Sequence, residues 1–199
     1  IAALEGGVAG LLLASGQAAE TLAILTLAQA GDHIVSSPHL YGGTYNLFHY
    51  TLPKLGIEVD FVDDPDDPQS WHDAVRPNTK LFFAESTANP LADILDVPAV
   101  AAVAHEAKVP FIVDNTVPTA ALIRPLELGA DVVVASLTKF YTGNSTGIGG
   151  IAIDGGTFDW AVTRDGQPIF PGFANPDPTY HGIVYADLGE MAFGVKLRV

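Results

Sequence analysis

Between Phe111 and Lys139 the chain carries two short apolar runs, Phe111-Ile112-Val113-Asp114 and Val132-Val133-Val134-Ala135-Ser136, joined by a linker holding Pro125 and Gly129. Val- and Ile-rich runs without polar alternation are buried on both faces, as parallel strands are when helices cover the sheet. The first run ends on Asp114, and the second runs into Leu137-Thr138-Lys139. Ligands of an open parallel sheet sit outside the carboxyl ends of its strands. One carboxylate and one amine are therefore sent into the same crevice.

The rest of the chain alternates in the same way. His33 to Ser37, Ile57 to Val62 and Lys80 to Glu85 read as strands, and Gly149 to Ile153 as a return strand. Helices are expected over Gln17 to Ala30, stopped by Gly31, over Tyr45 to Leu55 and over Val97 to Ala107. Strand and helix in turn give an α/β fold with a three-layer, mostly parallel sheet. The acidic run Asp63 to Gln69 reads as solvated loop. Residues 155–185 lack periodicity, but Trp160, Phe170, Phe173 and Tyr180 ask for burial, so an ordered excursion is expected. Ala186 onward reads as the start of a helix leading to a second domain.

Charge and composition narrow the partners. Nine basic against 23 acidic residues give a net charge of −14, which disfavours nucleic acid and anionic membrane surfaces. No uncharged apolar run is long enough to span a bilayer. The absence of cysteine excludes disulfides, thiolate zinc sites and cysteine catalysis, and is compatible with a cytoplasmic home. The six histidines show no ligand spacing, so no metal site is expected.

Several residues point to chemistry. Ser15-Gly16 opens a helix whose first amides and dipole form an anion site, although an N-cap serine alone explains the same pattern. Tyr41, before Gly42-Gly43-Thr44, is a side chain suited to lie on a planar ligand. Glu85 and Asn89 emerge at another strand end beside the crevice. Gly143-Asn144-Ser145-Thr146-Gly147 matches a serine-hydrolase elbow only in letters, since a strand rather than a helix follows it. Lys54, Lys80, Lys108 and Lys196 read as surface charges, which leaves Lys139 as the lysine ending an apolar strand. An acid and a lysine on neighbouring strand ends suit pyridoxal phosphate, whose protein partners are a Schiff-base lysine and an anion at the pyridinium nitrogen.

Five motifs in order, Ser15-Gly16-Gln17, Tyr41-Gly42-Gly43-Thr44, Glu85 to Asn89-Pro90, Val113-Asp114-Asn115-Thr116 and Ser136-Leu137-Thr138-Lys139, resemble the Cys/Met-metabolism family of pyridoxal-phosphate enzymes. Within it the chain is most similar to the O-acetylhomoserine sulfhydrylase branch, through the Ser-Gly-Gln turn, the Ile148-Gly149-Gly150 return and the excursion with Phe170-Pro171-Gly172-Phe173 and Tyr180-His181-Gly182. It departs from the family at Gly143-Asn144-Ser145, where Gly-His-Gly is more usual. The resemblance implies an aspartate-aminotransferase-like (fold type I) large domain over 1–185, with 186–199 beginning a C-terminal small domain. It implies that Lys139 forms the Schiff base and moves protons, Asp114 keeps the pyridine nitrogen protonated, and Tyr41 stacks on the ring. The Gly16 and Gln17 amides beside Ser15, with the Ser136 and Thr138 hydroxyls, would hold the phosphate; Asn89 would bond the phenolic oxygen and Glu85 order its loop. The implied reaction joins O-acetylhomoserine and sulfide to give homocysteine, with cystathionine γ-synthase, γ-lyase or a non-catalytic cofactor-binding module as alternatives. The intact protein is expected to be a cytoplasmic homotetramer, a dimer of dimers. Both ends of these 199 residues are expected to be cut from a longer chain, with the N-terminal arm and most of the small domain lying outside them.

Overall fold

In a computed structural model describing residues 1–199, the parallel runs assemble as their composition dictates. Strands β1 (Ala9–Leu13), β2 (His33–Ser36), β3 (Glu58–Phe61), β4 (Thr79–Glu85), β5 (Phe111–Asp114), β6 (Val132–Ser136) and β7 (Gly150–Asp154) form one sheet in the order 1-7-6-5-4-2-3. Strands β2 to β6 are parallel; β7 returns antiparallel beside β6, and β1 pairs antiparallel on its far side. β1 was not expected. The interconnecting helices are α1 (Ala2–Glu5), α2 (Gly16–Leu27), α3 (Gly42–Asn46), α4 (Pro68–Asp73), α5 (Val97–Glu106), α6 (Thr119–Leu122), α7 (Pro171–Ala174) and α8 (Ala192–Arg198).

Alternation along each strand divides the core between the two faces of the sheet. Leu81, Phe83, Ile112, Val132 and Val134 pack with α2, the 47–57 segment, Trp160, Phe170, Phe173 and Phe193. Phe82, Ala84, Phe111 and Val113 pack with Trp71 and α5. Each fully buried Phe or Val contributes about 1.5–3 kcal/mol of transfer free energy, and so the strands at the centre of the sheet are the fixed frame for whatever sits at their ends. Register then sets the frame: Glu85 pairs with Asp114, and Asp114 with Val134. No helix is long and apolar enough to cross a membrane.

Some expectations need correction. α2 stops at Leu27, because Ala28 is extended and Asp32 accepts the Gln29 amide. The helix expected over 45–55 starts at Gly42 as α3, widens to a π-turn over Leu47–Thr51 and tightens to 3-10 over Leu52–Leu55. Pro53 lacks the N–H for an i→i−4 bond, which accounts for the change of winding near it. Part of the acidic loop is the start of α4, capped by Asp67. In the excursion Trp160, Phe170 and Phe173 are buried as expected, but Tyr180 is exposed and Tyr185 is buried instead. Three lysines expected to be free surface charges hold this excursion down, Lys108 by donating to the Thr163 carbonyl at 3.2 Å. Lys80 donates to the Ile169 carbonyl near Asp32, and Lys196 lies 3.2 Å from Asp177 and over the Tyr185 ring. Phe193 of α8 is fully buried in the same core as Trp160.

Candidate active site

The carboxyl ends of β4, β5 and β6, with the start of α2, surround a cavity of about 140 Å³ lined by Ser15, Gly16, Gln17, Tyr41, Asn89, Asp114, Ser136 and Lys139 among others. These are eight of the nine residues expected to catalyse or to hold the cofactor; Glu85, expected to order its loop, lines it too. The ninth, Thr138, does not line it; its hydroxyl donates to the Gly149 carbonyl at 3.3 Å and accepts the Gly149 amide at 3.2 Å.

At the start of α2 the Ser15 hydroxyl accepts the Ala18 amide at 3.1 Å, so the N-cap function holds. The amides of Gly16 and Gln17 precede any possible intrahelical acceptor. Gly16 is required by packing: a Cβ there would stand 2.7 Å from that of Ser136. The helix N-terminus is thereby brought against the end of β6, where the Ser136 hydroxyl has no partner in the chain. Amides, dipole and hydroxyl together make an anion cradle.

Tyr41 sits across the cavity, half exposed, with Gly43 behind its ring; a Cβ on Gly43 would stand 2.5 Å from the Tyr41 Cε1. Glu85 holds both flanking loops, one oxygen accepting the Tyr41 amide and the other the Asn89 amide at 3.1 Å. The loop-ordering role expected for Glu85 is thus visible in its bonds.

Asp114 is the least satisfied acid. Its Oδ1 accepts both the Thr116 amide, at 2.8 Å, and the Thr116 hydroxyl. Its Oδ2 has no hydrogen bond or ion pair within the chain. Burial pushes the Asp114 carboxyl up to about 6, and burial with the neighbouring Asp114 charge pushes Glu85 up to about 7. Beneath them Glu20 is also raised, by burial first and then by the Asp114 charge; it accepts bonds from Gln17 and from the Thr44 hydroxyl. None of these three acids is within ion-pair distance of a cation, and Lys139 is likewise unpaired. The floor of the cavity is short of positive charge.

This donor set fits pyridoxal phosphate. A cationic ring nitrogen would engage the free Asp114 oxygen, a phosphate the α2 cradle with Ser136, and a carbonyl carbon the Lys139 amine.

Sequence reasoning missed Thr116, whose hydroxyl also accepts the Ser136 amide and so ties the ends of β5 and β6. It missed Glu20 as well. Thr116 lies within a motif already singled out and was open to recognition. Glu20, in mid-helix, carries no local signal that separates it from a solvated face.

Comparison with known proteins agrees with this geometry. Residues 1–174 match the sequence model of a family described as Cys/Met metabolism PLP-dependent enzyme. The chain is 67% identical over 199 residues to the O-acetyl-L-homoserine sulfhydrylase of Corynebacterium glutamicum, covering 100% of this chain and 46% of that one. It is 46% identical over 200 residues to the homocysteine synthase of Schizosaccharomyces pombe, again covering 100% and 46%. The chain spans about half the length of the curated relatives it matches. Among solved structures, a Campylobacter jejuni protein assigned as an O-acetylhomoserine (thiol)-lyase and carrying N'-pyridoxyl-lysine-5'-monophosphate superposes with a TM-score of 0.89. It is 35% identical, over 99% of this chain and 48% of that one. The O-acetylhomoserine sulfhydrylase of Wolinella succinogenes gives 0.81 at 39% identity, over 98% and 52%.

Proposed function

Because the chain belongs to the Cys/Met metabolism PLP-dependent enzyme family, we propose that its protein replaces the acetoxy group of O-acetylhomoserine with sulfide, giving homocysteine and acetate in methionine biosynthesis. The names and identities of the relatives support the reaction. The observation that carries it is the pairing, in one cavity, of an unpartnered Asp114 oxygen with an unpartnered Lys139 amine.

Bound there, pyridoxal phosphate supplies an electron sink next to the amino acid's Cα. Asp114 holds the ring nitrogen in its protonated form: a cation placed on Oδ2 favours the charged carboxylate that burial otherwise opposes. Lys139 anchors the cofactor and, with its amine free, moves protons at the substrate's Cα and Cβ. Tyr41, lining the same cavity, would offer its ring for the cofactor to stack on. Gly16, Gln17, Ser15 and Ser136 hold the phosphate, with Thr138 acting through Gly149, and Asn89 bonds the phenolic oxygen. A homo-oligomer, a dimer of dimers working in the cytoplasm, is part of the same proposal, and exposed Leu122, Phe140 and Ile148 supply apolar surface for it. So is the division into a large domain over 1–185 and a small domain begun by 186–199, with α8 as the link that stays anchored in the large-domain core through Phe193.

Steady-state assay of the intact protein with O-acetylhomoserine, using sulfide or cysteine as nucleophile, tests the reading. Faster turnover with sulfide is expected. Preference for cysteine would make it a cystathionine synthase, and cofactor binding without turnover of any amino acid would leave a binding module.

A further inference from the structure

Glu5 closes α1 and is fully buried, yet it takes no part in the cavity lining. Its Oε1 accepts the Tyr141 hydroxyl at 2.7 Å, and both its oxygens accept Asn115 Nδ2 at 3.1 Å. Asn115 extends the network: Nδ2 also donates to the Ile123 carbonyl at 2.9 Å, and Oδ1 accepts the Ser86 hydroxyl at 2.8 Å. Tyr141 in turn accepts the Ala120 amide at 3.3 Å. The bookkeeping of neighbours is what gives this cluster meaning. Ser86 follows Glu85, Asn115 follows Asp114, and Tyr141 is two residues beyond Lys139. A single carboxylate from the start of the chain thus pins the residues next to the cavity's acid and amine.

Alternatives for this carboxylate are few. Burial raises it, the Tyr141 and Asn115 bonds lower it, and Arg124 is the cation that acts on it from a distance. The Tyr141 phenol, pushed up to about 12 by burial and by Glu5, remains a donor at neutral pH. The Glu5–Tyr141 bond crosses from α1 to the loop after β6, and the Glu5–Asn115 bond to the loop after β5. Without them the two loops would be joined to each other through the Thr116–Ser136 bond and the long Ala120–Tyr141 bond, with no charged group tying both.

We propose that Glu5 is a positioning residue for the reaction, fixing the approach of Lys139 and Asp114 to the cofactor by holding Tyr141 and Asn115 beneath them. The inference rests on the reading of Lys139 and Asp114 as the cofactor-holding pair. Glu5 touches neither substrate nor cofactor; it acts through its two partners.

Two substitutions in the intact, pyridoxal-phosphate-loaded protein test it. Tyr141→Phe removes one hydroxyl and keeps the ring. Glu5→Gln keeps the volume and an acceptor for Tyr141, but sets its amide nitrogen against Asn115 Nδ2, donor facing donor. The measurements are cofactor content, the share fixed to Lys139 by borohydride, the pH midpoint of the bound cofactor's visible band, kcat and KM separately, and the melting temperature. Both variants should hold cofactor on Lys139, shift the pH midpoint, and lose about 10- to 100-fold in kcat with little change in KM, the scale set by misplacement of a reacting group. The double variant should lose no more than the worse single one, since both act on one network. Wild-type kcat and an unmoved pH midpoint, with only a lower melting temperature, would overturn the proposal, and Tyr141→Phe gives that answer even if Glu5→Gln fails to fold. Should the unsubstituted protein load cofactor on Lys139 but not turn over O-acetylhomoserine, the functional reading fails while a shifted pH midpoint in the variants still supports Glu5.

Discussion

Asp114 and Asp131 occupy opposite ends of neighbouring strands, Asp114 closing β5 and Asp131 standing just before β6. Both are acids beside a core of Val and Ile. Asp131 is 2% exposed and fully engaged: it accepts the Phe111 amide at 2.8 Å, His105 Nε2 at 2.9 Å and the Thr157 hydroxyl at 3.3 Å. Asp114 spends one oxygen on Thr116 and leaves the other bare over the cavity. Buried polar groups are almost always satisfied, so a bare oxygen marks a place kept for something else. The difference follows from the direction of the strands. At their amino ends the acid staples the sheet to α5 and the excursion; at their carboxyl ends it faces a ligand site.

The strongest way to break this comparison is at the amine opposite Asp114. Lys139→Ala in the intact protein should abolish the cofactor's visible band and all turnover. In the unsubstituted protein, peptide mapping after borohydride should find the label on Lys139. A label on Lys80 or Lys108 would sink the assignment, though Lys80 is already committed to the Ile169 carbonyl.

Next comes Asp114 itself. Asp114→Asn should retain some cofactor yet lower the rate by several orders of magnitude, because the ring nitrogen loses the anion that keeps it charged. It has a second signature in the cofactor-free protein. The folded-state value of about 6 lies above the ordinary 3.8, so the native state binds more protons than the unfolded one across that interval. Stability conferred by the protonated acid is therefore lost as pH rises through the window. Asp114→Asn should flatten that decline, read as denaturation midpoint against pH. Near wild-type activity at full cofactor occupancy would remove Asp114 from its role.

Asp131→Asn should do the reverse. Its amide oxygen can keep the Phe111 amide while the nitrogen donates to the Thr157 hydroxyl, so what is lost is the charge that strengthens the bonds to Phe111 and His105, at a cost of about 1 kcal/mol. The unfolding midpoint should fall while kcat stays near that of the parent. A variant that lost kcat with unchanged stability would mean that the two ends of the sheet are not divided as described.

The contrast also explains what could be read from the amino-acid sequence. The runs that became β4 to β6 are continuous and apolar, and their ends deliver Glu85, Asp114 and Lys139 by chain direction alone, so the cavity was legible in the chain itself. β1 was not, because Ala9-Gly10-Leu11-Leu12-Leu13 has no β-branched residue and Leu12 is 68% exposed; it is a strand because β7 pairs with it. Glu5 and Glu20 were invisible for a related reason. Their partners Asn115, Tyr141 and Thr44 are distant in sequence, and a lone glutamate in a helix looks solvated. Tyr180 was expected to be buried and is not, since aromatic character asks for burial without saying which of several tyrosines obtains it. Lys80 misled in the opposite sense: its alkyl stem crosses buried surface so that the ammonium meets a carbonyl.

The smallest effect is expected at His105, the partner that Asp131 holds from α5. The bond with Asp131 raises the imidazole above its ordinary 6.5, against the opposing pull of burial. A histidine whose folded-state value is raised contributes stability that is fully present below its unfolded value and is lost as pH rises through the folded one. With 44% of the side chain exposed, solvent screens much of the attraction, and the gain should stay under about 1 kcal/mol. The neutral imidazole can still donate Nε2–H to Asp131, so part of the bond survives at alkaline pH. His105→Gln should therefore cost more stability at about pH 5.5 than at about pH 8.5, compared as unfolding midpoints in denaturant, with kcat unchanged at both. In an Asp131→Asn background the extra loss at acid pH should vanish, because the charge that raised His105 is gone. Equal losses at the two pH values in the parent background would show that His105 does not titrate against Asp131. The amino end of β6 would then be held by the Phe111 amide and the Thr157 hydroxyl rather than by charge.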